Sequence, residues 1–517
     1  MGKPTAREEA PAPLAPSTQA PVTTASGPLP RFGWGPVGVV VVVQVAVLTA
    51  LSGRYGFHRD ELYFLAAGDH PAWGYVDQPP LTPLLAGAVT ALFGDSPSGL
   101  RVVSTLIGAA TVVVAALVAR AFGGGRGAQL LTAAGTALST YVLVVTHMVS
   151  TASTDLLVWM VVGLLVLRVL RTGDGRWWLA VGAAVGVGLL NKWLVVLLVA
   201  AVGASVLAVG PRRVLRSGWL AAGVGIALLL AAPTLVWQAG HGWPQLTVAT
   251  GISAQDGMEN RVLFVPQQLV YLSPLLVPVW VAGLVRLWRD PQLRWARGFA
   301  LAYPVLCVEI LLLGGKPYYA VPVLLVLVAA GAEPTLRWLG RGRGRRAAVG
   351  AATAIAVAVS VLIGLPVLPA DRLGPVLAVN KEAGEQVGWP RFVDTVAGAW
   401  RQVPPDRRPT AVIFTRNYGQ AGAIERYGPA RGLPRPYSGH MSYADWGPPP
   451  DMMTGPVLLV GRFTDTAVPH ALRGCQVLAR NDNGAGVDNE EQGTRIALCT
   501  RLAAPWSAVW PTLRHYY

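Results

Sequence analysis

From Pro36 to Leu368 the chain alternates long apolar runs with short polar stretches, and charged residues fall almost entirely in the latter. About 20 apolar residues in a helix cross the hydrocarbon core of a bilayer. Read at that window, with small residues allowed, the pattern predicts about eleven membrane-crossing helices. They cover 36–51, 100–122, 128–146, 156–170, 177–190, 193–209, 219–237, 269–285, 299–313, 321–332 and 347–368. The apolar stretch Leu81 to Phe93 is too short to span comfortably and predicts an interfacial or re-entrant helix. Residues 61–67 predict a second short helix lying on the outer membrane surface.

The flanks differ in kind. Residues 1–34 are rich in Pro, Ala and Thr without apolar periodicity, which predicts a disordered tail. The first apolar run begins too far along the chain for a cleaved signal peptide, so it is expected to be a retained span. After Leu368 the pattern becomes mixed. Strands are expected at 411–414 and 457–460, alternating with helices at 392–400 and 420–427. The expected organisation is a tail (1–34), a membrane domain (35–370) with its first outer loop at 54–99, and a soluble α/β domain (371–517). The fold class is therefore mainly α, a polytopic membrane protein with a C-terminal α/β domain.

Composition fits this picture. The 517 residues are 53% hydrophobic and 13% charged, where a soluble protein carries roughly 25% charged residues. The net charge of +15 does not imply a nucleic-acid partner, because most arginines lie in short loops between apolar runs. With the N-terminus cytoplasmic, the inner loops collect Arg126, Arg168, Arg171, Arg176, Arg212, Arg213, Arg216, Arg286, Arg289, Arg294, Arg297, Arg337, Arg341, Arg343, Arg345 and Arg346. The outer short loops hold Arg54, Arg59, Lys192, Arg261 and Lys316. That asymmetry orients the chain by the positive-inside rule and puts the C-terminal domain outside the cytoplasm. An oxidising compartment would permit a Cys475–Cys499 disulfide, while Cys307 lies in an apolar run.

In this orientation the costly polar residues gather on the outer face. They are His58 to Tyr63, Tyr75-Val76-Asp77-Gln78, Ser153-Thr154-Asp155, Asn191-Lys192-Trp193, His241 to Gln245 and Lys316 to Tyr319. Ionisable groups at membrane depth are usually paired or functional. Carboxylates here suit acid/base work on a hydroxyl or amine, and lysines suit a phosphate. Plainer readings stand beside these: Asp60-Glu61 as a helix cap, Asp155 as an N-cap, the lysines snorkelling, and the aromatics as an interfacial belt. No His/Cys/Asp spacing forms a metal site.

The order of Asp60-Glu61, Tyr75-x-Asp77-Gln78-Pro79-Pro80-Leu81, Thr154-Asp155, Leu189-Leu190-Asn191-Lys192 and Lys316-Pro317-Tyr318-Tyr319 resembles the bacterial protein-mannosyltransferase and aminoarabinose-transferase family. These are membrane glycosyltransferases of the C-type fold. The resemblance spans most of residues 54–368. It implies transfer of a hexosyl or pentosyl group from a polyprenyl-phosphate carrier to a protein, lipid or cell-wall glycan on the outer face, with no nucleotide-sugar site. By the same resemblance Asp60 is the base or acceptor-orienting carboxylate with Glu61 beside it, and Asp155 lines the cavity. Lys316, Tyr319 and Tyr75 would lie at the lipid-linked phosphate. Gln78 departs from the lysine usual in the aminoarabinose enzymes, leaving Lys192, Arg59 or Arg261 as substitutes. No cofactor is required, although a divalent cation could assist at the phosphate. A transporter or flippase would instead show internal repeats and mid-membrane polar groups. A non-catalytic assembly protein would leave Asp60 and Glu61 expendable.

Overall fold

The computed structural model describes residues 28–463 and 471–516. Most of the expected N-terminal tail, residues 1–27, lies outside the described residues. Every predicted apolar run is helical. Among the described residues, seven helices are long and apolar enough to cross a membrane: Trp34–Leu51, Pro97–Ala121, Thr151–Thr172, Gly218–Gly240, Pro291–Leu313, Pro317–Leu339 and Arg343–Gly364. Trp177–Leu189 and Val195–Val209 contain 13 and 15 residues, or about 20 and 22 Å of helix at 1.5 Å per residue. That is less than the roughly 30 Å of a bilayer core.

Two runs predicted as straight spans are broken. Arg126–Ala137 and Thr140–His147 meet at 59°, and Gly257–Val270 and Pro274–Arg289 meet at 73°. At the first break Ser139 starts a new helix, its hydroxyl accepting from the Val142 amide. At the second, Pro274 lacks an N–H, and Ser273 before it adopts a φ of +128°. Backbone groups freed in a membrane must find partners within the protein. Here the two breaks serve each other, the Tyr141 amide donating to the Tyr271 carbonyl at 2.9 Å. Tyr141 also stacks on Tyr318, with ring centroids 5.4 Å apart.

The helix Val321–Leu339 is the hub of the bundle, with every residue from Val321 to Ala332 buried. It meets Val277–Arg289 where Gly331 faces Gly283. A Cβ on either glycine would run into the carbonyl of Val279 or Leu327. Small residues permit such close packing where lipid offers no hydrophobic drive for association.

Beyond the last apolar helix the chain forms a five-stranded sheet. Its strands are β1 (Val412–Thr415), β2 (Pro436–Ser438), β3 (Val457–Val460), β4 (Gln476–Arg480) and β5 (Arg495–Cys499), in the order β2-β1-β3-β5-β4. β1 runs parallel to β2 and β3, while β5 is antiparallel to β3 and β4. β1 and β3 read VIFT and VLLV and are buried throughout, as unbroken apolar strands in parallel arrangements generally are. The helix Trp389–Trp400 turns Phe392, Val393, Val396, Ala397 and Trp400 inward. The helix Tyr418–Tyr427 follows β1 directly. A disulfide joins Cys475 to Cys499.

The helix containing residues 61–67, Arg59–Gly68, does not lie on an open surface. Leu62, Tyr63, Phe64 and Ala66 belong to the same apolar cluster as Trp389, Phe392, Ile413 and Ile424. The loop after the first span and the C-terminal sheet therefore share one core. The helix Leu81–Phe93 has the predicted bounds, and its first amide donates to the Leu190 carbonyl at 2.9 Å.

Candidate active site

The helix Arg59–Gly68 begins with a capping box in which His58 is the N-cap residue. Its ring accepts from the Asp60 amide, and Glu61 accepts from the His58 amide. These contacts turn Asp60 and Glu61 to opposite fates. Asp60 stays about a third exposed. Its Oδ1 accepts a 2.7 Å hydrogen bond from the Tyr418 hydroxyl, and the Arg59 guanidinium lies 3.7 Å away.

Glu61 is sealed. Its Oε1 accepts from Arg101 Nε and the Val149 amide, both at 2.9 Å. Its Oε2 accepts from Arg101 Nη2 at 2.7 Å and the His58 amide at 2.8 Å. Four donors leave a carboxylate no free lone pair. The sequence expectation of a catalytic group beside Asp60 therefore meets a side chain with no access to substrate. Arg101 lies at the start of the apolar run 100–122, and its buried charge is paired with Glu61, as ionisable groups among apolar residues usually are.

Next along the chain, the loop between Gly68 and Leu81 is held by its own tyrosine. The Tyr75 hydroxyl donates toward the Ala67 and His70 carbonyls and accepts from the Ala72 amide. Tyr75 is 1% exposed and its hydroxyl is taken up by these three contacts, which shape the loop. Gln238 ties the loop to the helix Gly218–Gly240 through the Tyr75 carbonyl. Asp77 emerges from this loop with Oδ1 2.7 Å from the Tyr63 hydroxyl. Burial pushes the Asp77 carboxyl up to about 6, with Tyr63 and Lys192 opposing the rise and Asp60 adding to it. Gln78 is 2% exposed, yet neither polar atom of its side chain has a hydrogen-bond partner.

Asp155 is not the N-cap of its helix. Ser150 fills that place, and Asp155 sits one turn further in, accepting from Trp159 Nε1 at 3.0 Å. The charge of Lys192 acts on both Asp155 and Asp77. Lys192 is positioned by its neighbour Asn191, which accepts from Thr82 and donates to the Thr151 carbonyl. That pair of bonds joins three elements at one point. The Lys192 ammonium lies 5.3 Å from the centre of the Tyr319 ring and 5.9 Å from that of Tyr318, and it makes no ion pair with a described residue. Lys316 is instead 3.7 Å from Asp256, and Arg261 donates to the Leu311 carbonyl.

Asp60, Asp77, Asp155, Lys192 and Tyr319 are thus linked in space, whereas Glu61 and Tyr75 serve the scaffold. Outside the predicted set, His58 Nε2 lies 3.0 Å from Glu382. Burial alone would raise the Glu382 carboxyl, but the hydrogen bond and charge of His58 outweigh it and hold it at about 2. The sequence placed Tyr63 in the outer-face polar run and Tyr418 in a turn after a strand, but it did not disclose the partners of Tyr63, Tyr418, Arg101 and Glu382. Their partners stand 14, 358, 40 and 324 positions away in sequence.

The family model for dolichyl-phosphate-mannose-protein mannosyltransferases matches residues 77–237. The crystal structure of ArnT from Cupriavidus metallidurans bound to undecaprenyl phosphate superposes with a TM-score of 0.58 at 17% identity. The match covers 90% of this chain and 98% of that one. This chain has the C-type glycosyltransferase fold. The apo structure of the same enzyme gives a TM-score of 0.54 at 16% identity, over 89% of this chain and 97% of that one. No match is found among curated proteins. In C-type terms, the chain pairs a helical membrane domain with a small α/β region, and the matched segment 77–237 contains Asp77, Gln78, Asp155 and Lys192.

Proposed function

We propose that the chain is a membrane glycosyltransferase that moves a sugar from a polyprenyl-phosphate carrier to a protein, lipid or cell-wall glycan at the outer membrane face. The observation carrying this reading is the juxtaposition of two part-exposed carboxylates, Asp60 and Asp77, with buried Asp155 and with an ammonium, Lys192, that acts on Asp77 and Asp155 and has no ion-pair partner among the described residues. The family match and the fold shared with an enzyme crystallised with undecaprenyl phosphate support the donor class. The orientation rests on the arginine-rich loops and on the disulfide, which belongs outside the cytoplasm.

In this reading Asp60 takes the proton of the acceptor hydroxyl or amine as the acceptor oxygen or nitrogen attacks the anomeric carbon. The bond from that carbon to the carrier's phosphate oxygen breaks with inversion, and its electron pair leaves on the polyprenyl phosphate. Lys192 faces the growing negative charge, with Tyr319 beside it. Gln78 offers the phosphate or sugar an uncharged amide. Asp155 adds negative charge near Lys192, and Glu61 and Tyr75 keep the first loop in shape. Residues 35–370 house the donor, and residues 371–517 cover the acceptor side.

The test uses the purified full chain in nanodiscs with a panel of polyprenyl-phosphate hexoses and pentoses. Wild-type protein consumes at least one donor, and Asp60→Asn lowers the rate by about 100-fold or more, the usual worth of a positioned base. Equal rates for the variant and wild type, or no donor consumed, would overturn the proposal.

A further inference from the structure

The two carboxylates nearest the proposed chemistry, Asp60 and Asp77, each lean on a tyrosine, and each tyrosine leads into the C-terminal domain. We infer that this domain is a working part of the transfer site, with Tyr418 and Ser442 acting as positioning residues for Asp60 and Asp77. The inference rests on the glycosyltransferase reading above.

The first link is direct. Tyr418 opens the helix that follows β1, and its hydroxyl donates to Asp60 Oδ1 at 2.7 Å. Its ring lies 4.8 Å from that of Tyr63, 5.1 Å from His440 and 5.8 Å from the Arg59 guanidinium. The ring is thus fixed by its neighbours, and the phenol has little freedom to swing away. The second link passes through one more residue. The Tyr63 hydroxyl bridges Asp77 Oδ1 at 2.7 Å and Ser442 Oγ at 2.8 Å. Ser442 Oγ also accepts from the Val76 amide at 3.1 Å, which pins the residue before Asp77. Burial pushes the Tyr63 and Tyr418 phenols well above their usual value of 10, so both remain protonated donors.

The helices carrying these groups are built to touch. Gly422, on the Tyr418–Tyr427 helix, lies against Leu62, and a Cβ there would come within 3.0 Å of the Leu62 Cβ and carbonyl oxygen. Gly419 meets the Arg59 Cβ in the same way. A larger residue at either place would lift the helix and draw Tyr418 off Asp60. An ion pair between Arg59 and Glu490 closes the other side of the contact. A domain serving only as a cover would need none of these bonds to the carboxylates.

The experiment compares the full chain with Tyr418→Phe, which keeps the ring and removes the hydroxyl, and with Ser442→Ala. Donor turnover gives kcat and KM. Hydrogen exchange at residues 59–68 and 74–80 gives a readout that needs no donor. Tyr418→Phe is expected to lower kcat by about 10- to 100-fold, the worth of a hydrogen bond to a charged group. The donor KM should stay within about twofold, because the phenol touches Asp60 and not the carrier. Ser442→Ala should act in the same direction and speed exchange at 74–80. Wild-type kcat in both variants overturns the inference while leaving the glycosyltransferase reading intact. Should wild-type protein consume no donor, that reading fails and exchange alone decides. Faster exchange at 59–68 in Tyr418→Phe and at 74–80 in Ser442→Ala upholds the positioning role, and unchanged exchange overturns it.

Discussion

Glu61→Gln separates support from chemistry at the Asp60-Glu61 pair. The substitution keeps the shape of the side chain and replaces one carboxylate oxygen by an amide nitrogen. Whichever side that nitrogen takes, it faces two donors: Arg101 Nε and the Val149 amide, or Arg101 Nη2 and the His58 amide. Two hydrogen bonds are lost, and the guanidinium loses its counter-charge at a site where Arg101 is 1% exposed. Breaking a buried ion pair costs about 3–5 kcal/mol. Arg101 keeps the Ser52 and Gly56 carbonyls at 2.7 Å and Gln386 at 3.1 Å, so the low end, about 3 kcal/mol, applies. A midpoint shift of about 1–2 °C per kcal/mol, extrapolated to a chain this long, gives a fall of about 3–6 °C in thermal unfolding followed by tryptophan fluorescence. Below that transition the variant should turn over donor at close to the wild-type rate per folded molecule. A variant that unfolds at the wild-type temperature yet is as inactive as Asp60→Asn would refute the reasoning, because Glu61 would then take part in the reaction.

Two further outcomes follow from the structure. The Asp77 carboxyl, raised to about 6 mainly by burial, favours the folded state most below its unfolded value near 3.8, and that contribution fades as pH rises through 6. If turnover needs Asp77 ionised, kcat/KM climbs with pH through a limb near 6, and Asp77→Asn removes that limb; a limb unchanged in the variant contradicts the assignment. Cys475→Ser opens a bridge between residues 24 apart, which in the chain-entropy account is worth about 3 kcal/mol. Mass spectrometry of the protein from membranes should find the pair oxidised and Cys307 free, and a reduced pair would place the C-terminal domain on the cytoplasmic side.

What the sequence disclosed depended on the range of the interaction. Helices in lipid are announced by composition over one window, so the bounds of Leu81–Phe93 and the presence of helix in every apolar run were readable without partners. The breaks at Ser139 and Pro274 were not, because hydropathy is blind to direction and both halves of each pair remain apolar. β1 and the helix after it were legible from period and turn residues. In the site, ionisable residues in apolar surroundings marked the right segments but could not tell an accessible carboxylate from a sealed one. Asp60 and Glu61 are neighbours, and only the distant Arg101 and Val149 decide which is which. Arg261, weighed as a phosphate contact, proves to hold carbonyls at the end of the helix Arg297–Leu313.

The apolar cluster shared by the first loop and the C-terminal sheet sets the order in which the chain can mature. Leu62, Tyr63 and Phe64 leave the ribosome early, but Ile424, Leu458 and Ile496, which cover them, come near the end. Until then the loop has neither its core nor the phenol of Tyr418, 358 residues downstream of Asp60. Contacts of such long sequence separation form last and leave apolar surface uncovered meanwhile. A chain cut short between Gly364 and Tyr418 therefore has its membrane helices but an unfinished first loop, so synthesis through the C-terminal sheet is a condition for assembling the Asp60 environment.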